Sequence, residues 1–392
     1  MTYAVSQVPA PSPTLANKVE FLSHSSAYPG YQGEVARRET HMSWVFLTGD
    51  RAYKLKKPVR FPYLDFSTLA LREAACRAEI RLNRRLASDV YLGVVPLRRS
   101  AATLSICGSG EVVDWLVVMR RLDESQMLDR ALAEHHVQAW QVDRLVATLV
   151  QFYRRATPVF ISPERHLAAW QASLRFNHRI LLDPRFGLPA GLIGRIDRAQ
   201  WRFLVIRRSL LADRVRGRHI VDAHGDLRPE HIFLGDPLCI IDCLEFNATL
   251  RAADPLDEVA FLSLECERLG NSRIGRCIRR RLAVGLQDGP TEELFTFYRS
   301  YRAMLRARLA IAHLLEPSPR TPEKWPALTL VYLQLAAADA IRLEKLLRAP
   351  LRRPHDHRGA AKWPPQRGAP PATPRAYCAQ PEAQAGMRAP YR

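Results

Sequence analysis

Four side chains within one short stretch carry the chemistry open to this sequence: Asp226, Arg228, His231 and Asp242. They stand in Ala223-His224-Gly225-Asp226-Leu227-Arg228-Pro229-Glu230-His231-Ile232-Phe233-Leu234, answered by Cys239-Ile240-Ile241-Asp242. The pattern reads as a tight polar loop feeding a short β-hairpin. Ile232 to Leu234 is one arm, Gly235-Asp236-Pro237 the turn, and Leu238 to Asp242 the other arm. A hairpin returns the chain on itself, so His231 and Asp242 are expected side by side, close to Asp226. A loop carboxylate with two ligand-capable side chains at a hairpin mouth is the equipment of phosphoryl transfer. The carboxylate orients an attacking hydroxyl, and the ligands hold cations that bridge the phosphates.

Other elements must position these groups. A short amphipathic helix is expected from Pro13 to Ser23, followed by an antiparallel meander over Gly33 to Thr40, Ser43 to Thr48 and Ala52 to Lys57. Gly49-Asp50 supplies the turn between the last two strands. Lys54 and Lys56 share one face of the third strand, and Lys54 is the preferred inward residue. Leu69 to Leu86, rich in alanine, leucine, arginine and glutamate, predicts a helix carrying Glu73 and Glu79. Asp114 to Leu122 reads as a strand, and the pattern is then largely helical to about Leu211, with Pro184 and Pro189 as breakers. Beyond Asp242, Asp254-Pro255-Leu256-Asp257-Glu258 reads as a helix start with an N-cap and a proline in the first turn. Thr291 to Leu315 and Leu328 to Leu347 predict long helices, separated by a proline-rich break from Pro317 to Pro326.

The loop and hairpin resemble those of the protein-kinase-like superfamily, in particular the aminoglycoside phosphotransferase branch, where glycine follows the loop histidine. Ala52-Tyr53-Lys54 resembles the Ala-x-Lys of that fold's third strand, and the Asp-Pro helix resembles the one that braces the catalytic loop. The resemblance spans roughly residues 30 to 345. It implies an α+β, bilobal protein-kinase-like fold: a small N-lobe of antiparallel sheet plus helix over residues 1–118, and a larger, mainly helical C-lobe over 119–348. It implies an ATP-dependent phosphotransferase acting on a small-molecule hydroxyl, with Mg2+ or Mn2+. Asp226 would orient the hydroxyl and Arg228 would offset charge on the phosphoryl group. Asp242 and His231 would ligate metal, while His224, Asp254 and Glu258 would support the loop. Lys54, held by Glu79 or, as second candidate, Glu73, would grip the phosphates. Thr40 would help to cover them, and the main chain of Met119 to Arg121 would meet the adenine edge.

This sequence departs from the family's pattern twice. The first turn of the meander, Glu39-Thr40-His41-Met42-Ser43, has no glycine where a glycine-rich phosphate loop is expected. His231 stands five residues after Asp226, where the family places asparagine. Imidazole nitrogen suits Mg2+ less well than an oxygen donor, so a nucleotide-binding pseudokinase without turnover is the alternative reading. Some relatives continue into a P-loop kinase domain. No Gly-x-x-x-x-Gly-Lys-Ser/Thr sequence occurs in this chain, so that activity is not expected of it.

Bulk composition narrows the remaining classes. A chain that is 47% hydrophobic and 25% charged describes a globular protein rather than a disordered one. No run of 18 or more apolar residues occurs and the first residues lack a signal pattern, so no membrane partner is expected. The cysteines, seven in all, lack Cys-x-x-Cys spacing, which fits reduced thiols and a cytoplasmic location. A net charge of +19 raises nucleic acid as a partner, but the arginines are spread along the chain without a nucleic-acid-binding motif, which argues against it. The same charge sets an unfavourable field against a polycationic aminoglycoside. Residues 349–392, rich in proline and arginine, cannot bury a core and are expected to be a disordered basic tail. Composition says nothing of substrate identity or oligomeric state.

Overall fold

The structure is a computed structural model that describes residues 12–348, apart from 62, 102, 290, 317, 318 and 320. The expected tail and part of the proline-rich break therefore lie outside the described residues. Two compact units form, one of residues 12–84 and 88–121, the other of 85–87 and 122–348.

The first unit begins with α1 (Leu15–Leu22), capped by Thr14, whose hydroxyl accepts the Asn17 N–H. β1 (Ala36–Glu39), β2 (Ser43–Thr48) and β3 (Arg51–Lys56) form the expected antiparallel meander. Gly49, at φ +50°, begins the two-residue turn between β2 and β3, a conformation that glycine adopts without Cβ strain. A small ribbon of β4 (Arg60–Phe61) and β5 (Leu64–Asp65) leads to α2 (Leu69–Asn83), started by the Thr68 N-cap. Three further strands follow: β6 (Tyr91–Ser100), β7 (Thr103–Ile106) and β8 (Glu111–Arg120). The six-stranded sheet runs β1-β2-β3-β8-β6-β7, all antiparallel. β8 pairs with β3 through Arg120, so Met119 is held inside the sheet and the units divide after 121, where the sequence pointed to a division after 118. The β6–β7 hairpin was not expected. Its Pro96 and its run of arginine and serine obscure the strand alternation, while pairing with β8 supplies the order.

The second unit is mainly helical: α3 (Leu128–Ala133), α4 (Ala139–Arg155), α5 (Pro163–Leu181), α6 (Ala190–Ile206) and α7 (Arg208–Arg216) precede the loop region. There β9 (Val221–Asp222) and the hairpin β10 (Ile232–Phe233) and β11 (Cys239–Ile240) frame the polar loop. α8 (Ala248–Arg251) and β12 (Ala252–Ala253), which pairs with β9, lead into α9 (Pro255–Arg268). α10 (Ser272–Leu286), α11 (Glu292–Ala312) and α12 (Lys324–Arg348) complete it. α9 is buried over nearly its whole length, and the acidic side chains it buries, among them Asp257, Glu258 and Glu265, each find a hydrogen-bond donor. Phe203 stacks on Phe297, which Trp170 meets edge-on, in the core that surrounds it. By length and composition α12 is apolar enough to cross a membrane. Its Tyr332 and Asp339 side chains are nonetheless buried, bonded to Glu265 of α9 and Arg299 of α11.

The fold class is thus α+β, with an antiparallel sheet and helix in one unit and a mainly helical second unit, as the sequence indicated.

Candidate active site

In the first unit, Lys54 and Lys56 project from alternate positions of β3 and meet one carboxylate. Lys54 Nζ is 2.9 Å from Glu79 Oε1, and Lys56 Nζ is 2.6 Å from Oε2. Glu79 and Lys56 are fully buried, whereas the Lys54 side chain keeps 14% of its surface exposed. One buried carboxylate holding two ammonium groups leaves the trio with a net positive charge, suited to an anion. Glu73 instead pairs with Arg77 on the exposed side of α2. Thr40 is drawn into the β1–β2 turn: its hydroxyl accepts the Ser43 N–H at 2.9 Å and donates to the Ser43 carbonyl at 3.0 Å. The Arg121 N–H is also engaged, on the Asp50 carbonyl at 2.7 Å.

In the second unit, the loop and hairpin converge as their spacing suggested. The hairpin pairs Ile232 with Ile240 and Phe233 with Cys239. Pairing stops before Asp242, whose φ of +61° takes the backbone into the left-handed region. His231 Nδ1 lies 2.9 Å from the Asp226 carbonyl oxygen, so that nitrogen carries the proton and donates it. Nε2 is then an acceptor; it receives Arg228 Nη2 at 3.1 Å and stands 3.6 Å from Asp242 Oδ2. Arg228 Nε also donates to Asp226 Oδ2 at 3.1 Å. Burial pushes the Asp226 carboxyl up, but Arg228, His231 and Arg306 outweigh it and hold the group below the usual aspartate range. Asp226 is therefore ionised at neutral pH, and a third of its side chain is open to solvent.

Supporting residues explain why the loop holds this shape. Glu258 accepts the N–H of His224 at 3.0 Å, the N–H of Gly225 at 2.5 Å and the Tyr153 hydroxyl at 2.9 Å. Gly225 has φ +91°, and a Cβ there would lie 2.9 Å from Leu244 Cβ, so no side chain fits. His224 donates from Nε2 to the Ile241 carbonyl at 3.0 Å, tying the loop to the hairpin. Burial lowers its pKa to about 4, keeping the ring neutral. Asp254 caps α9 at the Leu256 N–H and takes a bidentate pair from Arg214 at 2.6 and 2.9 Å. Asp257, beside Glu258, forms another such pair with Arg302 at 2.7 and 2.6 Å.

Several participants escaped the sequence reading. Arg85 donates to the Asp222 and Ala223 carbonyls at 2.8 and 2.9 Å and pins the entry to the loop. Tyr153 and Arg302 were likewise unassigned, while Lys56, the alternative to Lys54, shares its carboxylate. Arg85 and Tyr153 meet partners more than a hundred residues away, so no local spacing marks them.

As for a metal ion, Asp242 Oδ2 and the unprotonated His231 Nε2 are close enough to serve as two donors to one cation. An oxygen–nitrogen pair fits Mn2+ at least as well as Mg2+.

The sheet with its lysine–glutamate pair, the braced loop, the hairpin and the Asp-Pro helix follow one another along the chain in the order expected from the sequence. No family model matches the chain. Uncharacterized proteins of Mycobacterium tuberculosis and Mycobacterium bovis are 34% identical to it over 309 residues, covering 78% of this chain and 57% of each relative. The chain thus spans a little over half the length of the curated relatives it matches. Similar solved structures include a choline/ethanolamine kinase family protein from Mesorhizobium loti, with a TM-score of 0.48, 16% identity and coverage of 85% of this chain and 95% of that one. A choline kinase from Cryptosporidium parvum has a TM-score of 0.48 and 9% identity, covering 84% of this chain and 96% of that one. A thermostable mutant of an aminoglycoside phosphotransferase, in ternary complex with AMP-PNP and hygromycin B, has a TM-score of 0.44 and 12% identity, with coverage of 84% and 97%.

Proposed function

We propose that the protein is an aminoglycoside phosphotransferase-like small-molecule kinase, transferring the γ-phosphoryl group of ATP to a hydroxyl. The observation that carries this reading is the juxtaposition of Asp226, His231 and Asp242 on a loop whose backbone Glu258 holds. Asp226 orients the acceptor hydroxyl and takes its proton. The acceptor oxygen–phosphorus bond forms as the bond from the γ-phosphorus to the bridging oxygen breaks, and ADP leaves. Arg228 offsets negative charge on the transferring group, and Lys54, steadied by Glu79, grips the nucleotide phosphates. Asp242 and His231 would hold a divalent cation, which when bound offsets phosphate charge. Main-chain groups of Met119 to Arg121 serve the adenine edge, with the Arg121 N–H already committed to Asp50. Thr40 contributes by shaping the β1–β2 turn.

A second reading, nucleotide binding without turnover, draws support from one contact. Arg228 occupies the Nε2 lone pair of His231, a competitor for metal that asparagine at this position would not attract in the same way.

A thermal-shift measurement with ATP plus Mg2+ or Mn2+ on wild type and Asp242→Ala tests the reading. ATP with metal is expected to raise the wild-type Tm, by about 2–4 kcal/mol of stabilisation at saturating ligand, and not that of the variant. No shift with either metal contradicts both readings, while a shift without ADP formation on any acceptor supports the second.

A further inference from the structure

One buried carboxylate in the first unit joins three elements. Asp114 of β8 accepts Lys18 Nζ of α1 on Oδ2 at 2.7 Å and Arg72 Nε of α2 on Oδ1 at 2.8 Å. The Trp115 N–H also donates to Oδ1, at 3.0 Å. All three charged side chains are buried. Lys18 Nζ is further held by the Val113 carbonyl at 2.9 Å. Arg72 Nη1 donates to the carbonyls of Phe66 and Ser67, at 3.0 and 3.3 Å, on the approach to the Thr68 N-cap. One guanidinium thus ties the start of α2 both to the sheet and to its own lead-in.

A buried ion pair is a poor source of stability, because desolvation of the two charges offsets most of their attraction. Its best-attested use is to fix register, and α2 has a strict need of register. Glu79 must meet two ammonium groups at once, Lys54 at 2.9 Å and Lys56 at 2.6 Å. Arg72 and Glu79 stand seven residues apart, which on a helix is two turns, about 10 Å, with both side chains on one side. Their anchors lie on paired strands: Lys54 is opposite Val117 of β8, three residues along from Asp114. α2 is therefore fastened to the sheet at two points, and a slide or roll that broke the first would carry Glu79 away from the lysines.

We infer that Arg72 is a positioning residue for Lys54, acting through α2 and Glu79, so that its bond to Asp114 sets how firmly nucleotide phosphates are gripped. This rests on the nucleotide-binding part of the reading above and adds to it a residue two helical turns from the lysine–glutamate pair. Lys18 bonds the same carboxylate from α1, an element that does not carry Glu79, and so supplies a matched control.

The Kd for ATP with Mg2+ or Mn2+ is measured by calorimetric titration for wild type, Arg72→Met, Lys18→Met and Arg72→Lys, each with its Tm in the absence of nucleotide. Each methionine variant removes one cation from Asp114 and leaves the other, so a loss of stability is common to both. Arg72→Met should raise the ATP Kd about tenfold or more, and Lys18→Met by less than about twofold. Arg72→Lys, which keeps the charge and loses the fork, should lie between, and it carries the comparison with Lys18→Met where Arg72→Met does not fold. An equal rise in Kd for the Arg72 and Lys18 variants, or an unchanged Kd in the Arg72 variants, overturns the positioning role and leaves nucleotide binding standing. Wild type that binds no ATP with either metal overturns both.

Discussion

His231 Nε2 lies 3.6 Å from Asp242 Oδ2 and accepts Arg228 Nη2 at 3.1 Å, while Nδ1 donates to the Asp226 carbonyl. Imidazole thus takes a position where an oxygen ligand would favour Mg2+. We expect wild type to gain more thermal stability from ATP with Mn2+ than with Mg2+, and His231→Asn to reverse that preference. A parallel titration of both proteins with each metal checks this. Equal preference in the two would remove His231 from the metal site.

Glu258 is the sole carboxylate bonded to the two loop N–H groups among the described residues. Burial raises its pKa, the His224 and Gly225 amides and the Tyr153 hydroxyl opposing that shift. Glu258→Ala leaves both amides buried without an acceptor and should cost about 2–5 kcal/mol. Chemical denaturation reads this directly. Tyr153→Phe, which removes one donor and leaves the amide bonds intact, should cost about 1 kcal/mol.

The two lysines on Glu79 should separate by function. Lys56 is fully buried, and Lys56→Met is expected to act mainly on stability. Lys54 retains an open edge, and Lys54→Met should act mainly on nucleotide binding, abolishing the ATP-dependent Tm rise at metal concentrations that saturate wild type. Thermal shifts with and without ATP distinguish them; the opposite assignment would make Lys56 the phosphate-gripping residue.

Much of this was legible in the chain. The Gly49-Asp50 turn, the loop with its hairpin and the Asp254-Pro255 helix start are local patterns, and each forms where its own residues dictate. Glu79 was preferred to Glu73 on the resemblance alone, and burial separates the two. Arg85 and Arg302 were not legible. Tertiary packing brings them to Asp222 and Ala223 and to Asp257, and a surface arginine has the same local spelling as a buried one. Thr40 illustrates the same limit: a hydroxyl that closes its own turn cannot be told by sequence from one that faces a ligand. β6 and β7 were hidden because their order depends on pairing with β8 rather than on their own alternation.

Acid should weaken the second unit through Asp254. Burial pushes this carboxyl up from 3.8, but Arg214's charge and hydrogen bonds outweigh that and lower it. Arg214 and Asp288 flank it from one side, and the Tyr298 hydroxyl, at 3.1 Å, from another. A carboxyl depressed in the folded state contributes stability above its unfolded pKa, and that contribution is lost as pH falls through the folded one. Asp254→Asn should therefore cost about 3 kcal/mol at pH 7 and flatten the loss of stability below pH ~4. Urea denaturation at pH 7 and at stepwise lower pH reads both effects. An unchanged acid profile would show that Asp254 titrates alike in folded and unfolded chains.

The most direct test of phosphoryl transfer follows the γ-phosphoryl label of ATP into an alcohol, with wild type and Asp226→Asn side by side. We expect acceptor-dependent labelling that falls about 100-fold or more in the variant, while its ATP-dependent Tm rise persists. Labelling that is equal in the two proteins, or ATP that neither binds nor transfers, would contradict the account.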